Sequence, residues 1–284
     1  MANLLLKGAP AAKALTETLR AESDALRARG VVPTLALVRL GERDADLAYE
    51  RGALKRCELC GVAAMQVVLP ADVTQEALRG TLAQLRADPG VHGILLFQPL
   101  PEGIDRAAVC AAIAPEKDVD GVSAGSMASI YANVGEGFAP CTAAACVALL
   151  KHYNVPLDGK RVVVVGRSFV IGRPVAMLLL RENATVTVAH THTRDLSSLC
   201  READVLIVAT GKMGLIGAEH VRPGQTVVDV GIHATPDGSL CGDVRFDEVE
   251  PIVDAITPVP GGVGSMTTAM LCAHVIQAAK KSVT

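Results

Sequence analysis

Arg161-Val162-Val163-Val164-Val165-Gly166-Arg167-Ser168-Phe169-Val170-Ile171-Gly172-Arg173-Pro174 reads as a strand, a turn and the start of a helix, in that order. Four successive valines are β-branched and wholly apolar, which suits a strand buried on both faces of a parallel sheet. Glycine at 166 and 172 lets the backbone approach a pyrophosphate closely, and the helix that follows offers unpaired N–H groups at its start. The spacing is G-x-S-x-x-x-G, whereas the familiar dinucleotide fingerprint is G-x-G-x-x-G. The stretch therefore reads either as an ordinary strand-to-helix connection or as a dinucleotide loop made by Gly166, Arg167, Ser168, Gly172 and Arg173.

Downstream, Ala184 to Ala189 is the next predicted strand, and the residues at its end favour the second reading. A site selective for NAD usually carries Asp or Glu there to take the ribose hydroxyls. Here the run is His190-Thr191-His192-Thr193-Arg194. With Arg167 it offers hydroxyls and potential cations, including Thr191, which suit a 2′-phosphate, so NADP is the expected cofactor. Ala203 to Gly211 and Thr226 to Ile232 read as two more buried parallel strands. Their terminal positions Thr210, Gly211 and Ile232 are candidate cofactor contacts, and the rest is core.

Upstream, strands and helices alternate in the same way. The periodicity predicts a helix over about 11–29 ending at Gly30, a strand at 34–38, a helix at 44–60 ended by Gly61, a strand at 63–69, a helix at 74–86 and a strand at 92–97. Pro115 to Gly121 is polar and turn-rich, hence a loop. Open α/β sheets bind ligands beyond the carboxyl ends of their strands, which marks the loops after Phe97 and around Asp120. A helix at about 141–154 leads into the second series, and a last helix, about 266–279, follows the Pro/Gly loop Thr257-Pro258-Val259-Pro260-Gly261-Gly262-Val263-Gly264.

Composition narrows the function. With 284 residues, half of them apolar, the chain favours two domains. Only 2% aromatic content and a net charge of −3 leave neither stacking platforms nor a basic stripe, so nucleic acid is not an expected partner. No apolar run reaches about 18 residues, which argues against membrane insertion and for a cytoplasmic protein. The eight cysteines lie mostly in apolar runs and read as buried thiols. Cys57-Glu58-Leu59-Cys60 lacks the second pair that a metal site would need, so no metal is expected.

Taken together, Gly41 with Tyr49, Lys117-Asp118-Val119-Asp120-Gly121, Pro140-Cys141-Thr142, Val165-Gly166-Arg167-Ser168, Gly172-Arg173-Pro174, Asp229-Val230-Gly231-Ile232, Gly242-Asp243-Val244 and the 257–264 loop resemble the bifunctional methylenetetrahydrofolate dehydrogenase/methenyltetrahydrofolate cyclohydrolase family. The resemblance spans nearly the whole chain. It implies an α/β fold with an N-terminal catalytic domain, residues 1–138 completed by 265–284, and a Rossmann-type NAD(P)-binding domain, residues 139–264, with a folate cleft between them. It also implies tetrahydrofolate derivatives as substrates and a homodimer. Tyr49 would stack on the folate ring and Asp120 would bond the pterin, both as catalytic-site residues. Gln98, Pro260, Gly261 and Gly262 would line the substrate site.

Two positions depart from the family. The lysine expected four residues after the tyrosine is Ala53, and the glutamine expected to tune it is Phe97. Hydride transfer needs mainly positioning, whereas hydrolysis of the methenyl cation needs proton handling. Lys55 lies roughly 160° round the helix from position 53, Arg56 is not a usable base, and Gln98 faces the other side of its strand unless the chain bulges. The expectation is a dehydrogenase with weak or absent cyclohydrolase activity. Another NADP-dependent two-domain dehydrogenase and a non-catalytic folate or nucleotide sensor are the alternatives.

Overall fold

The computed structural model describes residues 3–283. Along the chain the strands are β1 (Leu4–Leu5), β2 (Thr34–Leu40), β3 (Ala63–Leu69), β4 (Gly93–Leu96), β5 (Arg161–Val165), β6 (Thr185–Ala189), β7 (Val205–Val208), β8 (Thr226–Asp229), β9 (His233–Ala234), β10 (Leu240–Cys241) and β11 (Ala255–Ile256). They fall into two units. One comprises the chain up to Ala12 with Thr142–Thr267, the other Lys13–Cys141 with the chain from Thr268 onward.

The first unit is built on a six-stranded sheet in the order β1-β11-β8-β7-β5-β6, in which every pairing is parallel. Val162 to Val165 are all buried, as a central strand with helices on both faces requires. Leu4 and Leu5 pair with Ala255 and Ile256. The N-terminal residues thus complete this sheet, whereas the sequence reading grouped 1–138 as one domain. A two-residue strand carries too little periodicity to reveal its partner, which lies some 250 positions away.

The second unit has a parallel three-stranded sheet, β3-β2-β4. Helix α1 (Gly8–Ala28) supplies its later turns to this unit, and α2 (Asp44–Cys60) and α3 (Gln75–Ala87) belong to it entirely. On one sheet face α2 packs through Ala53, Cys57 and Cys60 into a core with Leu35, Leu37, Leu95 and Phe97. Leu271, Cys272, Val275 and Ile276 of the terminal helix Thr267–Lys281 join the same core. That helix returns to the first half of the sequence because its apolar face finds burial there. On the other face Leu78, Leu82 and Leu85 of α3 pack with Ala36, Val38, Ile94 and Leu96.

Helix α2 stops at Gly61, whose φ of +72° and amide bond to the Cys57 carbonyl make it a left-handed cap. No helix among the described residues is long and apolar enough to cross a membrane.

Candidate active site

In the second unit α2 sets Tyr49 at the rim of its buried stripe. Asp46, Glu50, Ala53, Cys57 and Cys60 face inward, and Tyr49 keeps 38% of its surface exposed. The Phe97 ring meets Tyr49 edge-on, with centroids 5.9 Å apart and planes at 85°, a geometry worth about 1 kcal/mol beyond burial. Ala53 is 1% exposed and Phe97 6%. The two positions where the family's hydrolytic pair would stand are therefore filled by packed hydrocarbon beside the tyrosine. Burial and the negative charge of Asp120 push the Tyr49 phenol upward, so it is a neutral hydrogen-bonding group at physiological pH.

Lys55 lies exposed on the outer side of α2. Arg56 donates to Thr16 Oγ1 at 2.7 Å and to Thr268 Oγ1 at 3.5 Å, committed to α1 and the terminal helix. Gln98 is half-buried; its Oε1 accepts from Arg106 Nε at 3.3 Å, and its buried Nε2 has no hydrogen-bond partner. An unpaired buried amide donor is a group ready for a ligand's acceptor. None of the three supplies a base beside Tyr49.

The Lys117–Gly121 loop divides its work. Lys117 Nζ donates to the carbonyls of Leu85 and Asp88, while Asp118, fully buried, accepts from the amides of Val122 and Ser123. Both hold the loop. Gly121 adopts φ +61°, and a Cβ there would come within 2.5 Å of the Phe138 carbonyl oxygen. Asp120 is left as the carboxylate near Tyr49. Burial raises it to about 6, opposed by a hydrogen bond from the Cys141 thiol.

In the first unit the turn after β5 is shaped for close backbone approach. A Cβ on Gly166 would lie 2.1 Å from the Ala209 carbonyl oxygen, and one on Gly172 would lie 2.2 Å from the Gly166 oxygen. Ser168 replaces a turn glycine by bonding: its Oγ accepts from the amides of Ile171 (3.2 Å) and Gly172 (3.5 Å). Arg173 Nε donates to the Arg167 carbonyl at 3.1 Å, and its guanidinium lies 4.2 Å from the Phe169 ring centroid. Arg167 and Ser168 are exposed. The cradle fits a dinucleotide's phosphates, with a tight glycine turn and cationic side chains at one helix start.

At the end of β6 the amide of His190 donates to Thr193 Oγ1 and the amide of His192 to His190 Nδ1, which leaves Thr191 and His192 exposed. Asp195 is the carboxylate that follows, and it caps the next helix by accepting from Ser197 and Ser198. It is thereby engaged away from the role of a ribose acceptor. At the ends of β7 and β8, Thr210 and Gly211 give their amides to Asp243, and Ile232 is 61% exposed. Ile232 lines a cavity of about 210 Å³ with Gly231, Pro260, Gly261 and Gly262. The structure thus brings Tyr49 and Asp120 together in one unit, with Gln98 bonded to Arg106, and holds a strand-end group in the other unit.

A buried ion pair went unread in the sequence. Arg39 Nε and Glu50 Oε2 are 3.3 Å apart, with side chains 7% and 5% exposed. The available signal was a charge inside the apolar run of β2 and another on the inner stripe of α2.

The chain matches two family models, "Tetrahydrofolate dehydrogenase/cyclohydrolase, catalytic domain" over residues 6–120 and "Tetrahydrofolate dehydrogenase/cyclohydrolase, NAD(P)-binding domain" over residues 140–283. It is 49% identical over 275 residues to the "Bifunctional protein FolD" of Carboxydothermus hydrogenoformans, covering 96% of each chain. Among solved structures it is similar to a bifunctional methylenetetrahydrofolate dehydrogenase/cyclohydrolase from Campylobacter jejuni, at 39% identity, TM-score 0.94 and 98% of each chain covered. It is also similar to a Trypanosoma brucei methylenetetrahydrofolate dehydrogenase-cyclohydrolase complexed with NADP and an inhibitor, at 38% identity and TM-score 0.91, over 100% of this chain and 99% of that one.

Proposed function

Since the chain belongs to the tetrahydrofolate dehydrogenase/cyclohydrolase family, we propose that it oxidises 5,10-methylenetetrahydrofolate to the 5,10-methenyl cation with NADP, and that its hydrolysis of that cation is weak or absent. The observation that carries the second half is the Tyr49–Phe97 contact over a buried Ala53. A water attacking the cation there would meet hydrocarbon where proton traffic needs an amine and an amide.

NADP, when bound, accepts the hydride. The cradle of Gly166, Arg167, Ser168, Gly172 and Arg173 would take its phosphates, and Thr191 would lie beside the 2′-phosphate. Thr210, Gly211 and Ile232 would meet the nicotinamide half. Tyr49 presents an aromatic face for the folate ring, and ionised Asp120 accepts from ring N–H groups. Gln98 Nε2 supplies a donor. Tyr49 and Asp120 thus act in the reaction by holding the substrate, which fits a step governed by positioning.

We also take the working form to be a cytoplasmic homodimer, to be checked by light scattering of the purified protein. The cofactor reading is tested by following reduction of NADP and of NAD with methylenetetrahydrofolate. A kcat/KM at least about tenfold higher with NADP is expected; parity, or preference for NAD, would contradict it.

A further inference from the structure

The loops at the ends of β7 and β8 are tied together by two carboxylates. Asp243 Oδ2 accepts from the amides of Thr210 (2.5 Å) and Gly211 (3.0 Å), and its Oδ1 lies 2.7 Å from His233 Nε2. Asp229 accepts in turn from the amides of Gly231, Asp243 and Val244. The packing is tight enough to require glycine: a Cβ on Gly231 would fall 2.4 Å from Asp243 Oδ1, and one on Gly242 would fall 1.9 Å from Asp229 Oδ2. Asp243 is fully buried and Asp229 nearly so. The His233 side chain is 21% exposed, so it can exchange protons with solvent.

We propose that His233 is a positioning residue for the cofactor, which through Asp243 sets the loops bearing Thr210, Gly211 and Ile232 and makes discrimination between oxidised and reduced NADP depend on its own protonation. The proposal rests on the reading that these strand ends receive the nicotinamide. With His233 neutral, the cluster carries the negative charge of Asp243 and of ionised Asp229, which favours the cationic oxidised nicotinamide. Protonated His233 cancels one of those charges while keeping its hydrogen bond, and the preference falls.

Cys241 lies cross-strand from His233 and is common to every variant compared, and the charged groups on the surrounding elements do not duplicate this role. Asp237, on the β9–β10 turn, is engaged by Thr235 and Ser239. Lys212, on the loop after β7, is exposed. Asp229, raised by burial to about 6, also loses charge as pH falls, and the glutamine variant separates its share from that of His233.

The experiment is a calorimetric titration of the protein with NADP and with NADPH from pH 5.5 to 8.5, for the wild type, His233→Gln and His233→Ala. In the wild type the ratio of Kd for NADP to Kd for NADPH should rise severalfold as pH falls from 8.5 to 5.5, because a positive charge gained beside Asp243 opposes the cationic form of the cofactor. Glutamine keeps a donor toward Asp243 without titrating, so the rise should disappear or shrink to the part due to Asp229. Alanine should in addition weaken both forms. A purely structural histidine would lower both affinities together and leave their ratio alone. A wild-type ratio that is flat, or a glutamine variant that titrates like the wild type, would overturn the proposal. Failure of the wild type to bind either form would overturn the cofactor reading and this inference with it.

Discussion

Position 53 decides which half of the family's chemistry the site can perform. Ala53 is buried in the core and Phe97 lies across Tyr49, so an amine introduced at 53 would enter packed hydrocarbon with Phe97 in place of the amide. Ala53→Lys alone should leave hydrolysis of methenyltetrahydrofolate within about twofold of the uncatalysed rate. The pair Ala53→Lys with Phe97→Gln should raise it by about a hundredfold, the low end of what a placed acid/base contributes. Full recovery from the single change, read by loss of methenyl absorbance, would show that the ring is no obstacle. Asp120 gives a prediction in pH. Its carboxyl is raised to about 6, so the accepting, ionised form is present above that value and lost below it. KM for the folate should therefore climb as pH falls from 7 to 5, and Asp120→Asn should raise KM at all pH values and flatten the climb.

At the scale of the element, α2 is fixed to the sheet by two neighbouring links. Tyr49 meets Phe97, and Glu50 meets Arg39, which sits beside Phe97 because the Phe97 amide bonds the Val38 carbonyl. Arg39 Nε and Glu50 Oε1 have no hydrogen-bond partner, so the pair is held by charge in a dry place, where removing one member leaves the other uncompensated. Glu50→Gln should cost about 3 kcal/mol in denaturant unfolding. Arg39→Leu with Glu50→Val should recover most of that; a double variant no more stable than the single would contradict a desolvated pair. Helix α2 was legible in the sequence because its start, its apolar stripe and its Gly61 stop agree with one another, and its bounds, Asp44–Cys60, follow. The ion pair was not, since a charge on a strand and one on a helix reveal their partnership only when the register is known. Strand β1 escaped for a related reason: its partner β11 is another two-residue strand at the far end of the chain.

For the whole molecule, the alternation of strand and helix was enough to give two α/β units, because each βα repeat carries its own periodicity and glycine punctuation. The sequence could also name the residues that differ from the family, but not what replaces their function, since that depends on which side chains share a space. The structure shows Lys55 exposed, Arg56 bound to threonines and Gln98 paired with Arg106. Each candidate substitute for the missing lysine is thus spoken for or turned away. The most direct test is to assay one purified preparation for both activities at neutral pH, following NADPH formation from methylenetetrahydrofolate and the decay of added methenyltetrahydrofolate. NADPH should form at an enzymatic rate while methenyltetrahydrofolate decays no faster than in buffer; decay well above that background would contradict the loss of the hydrolytic step.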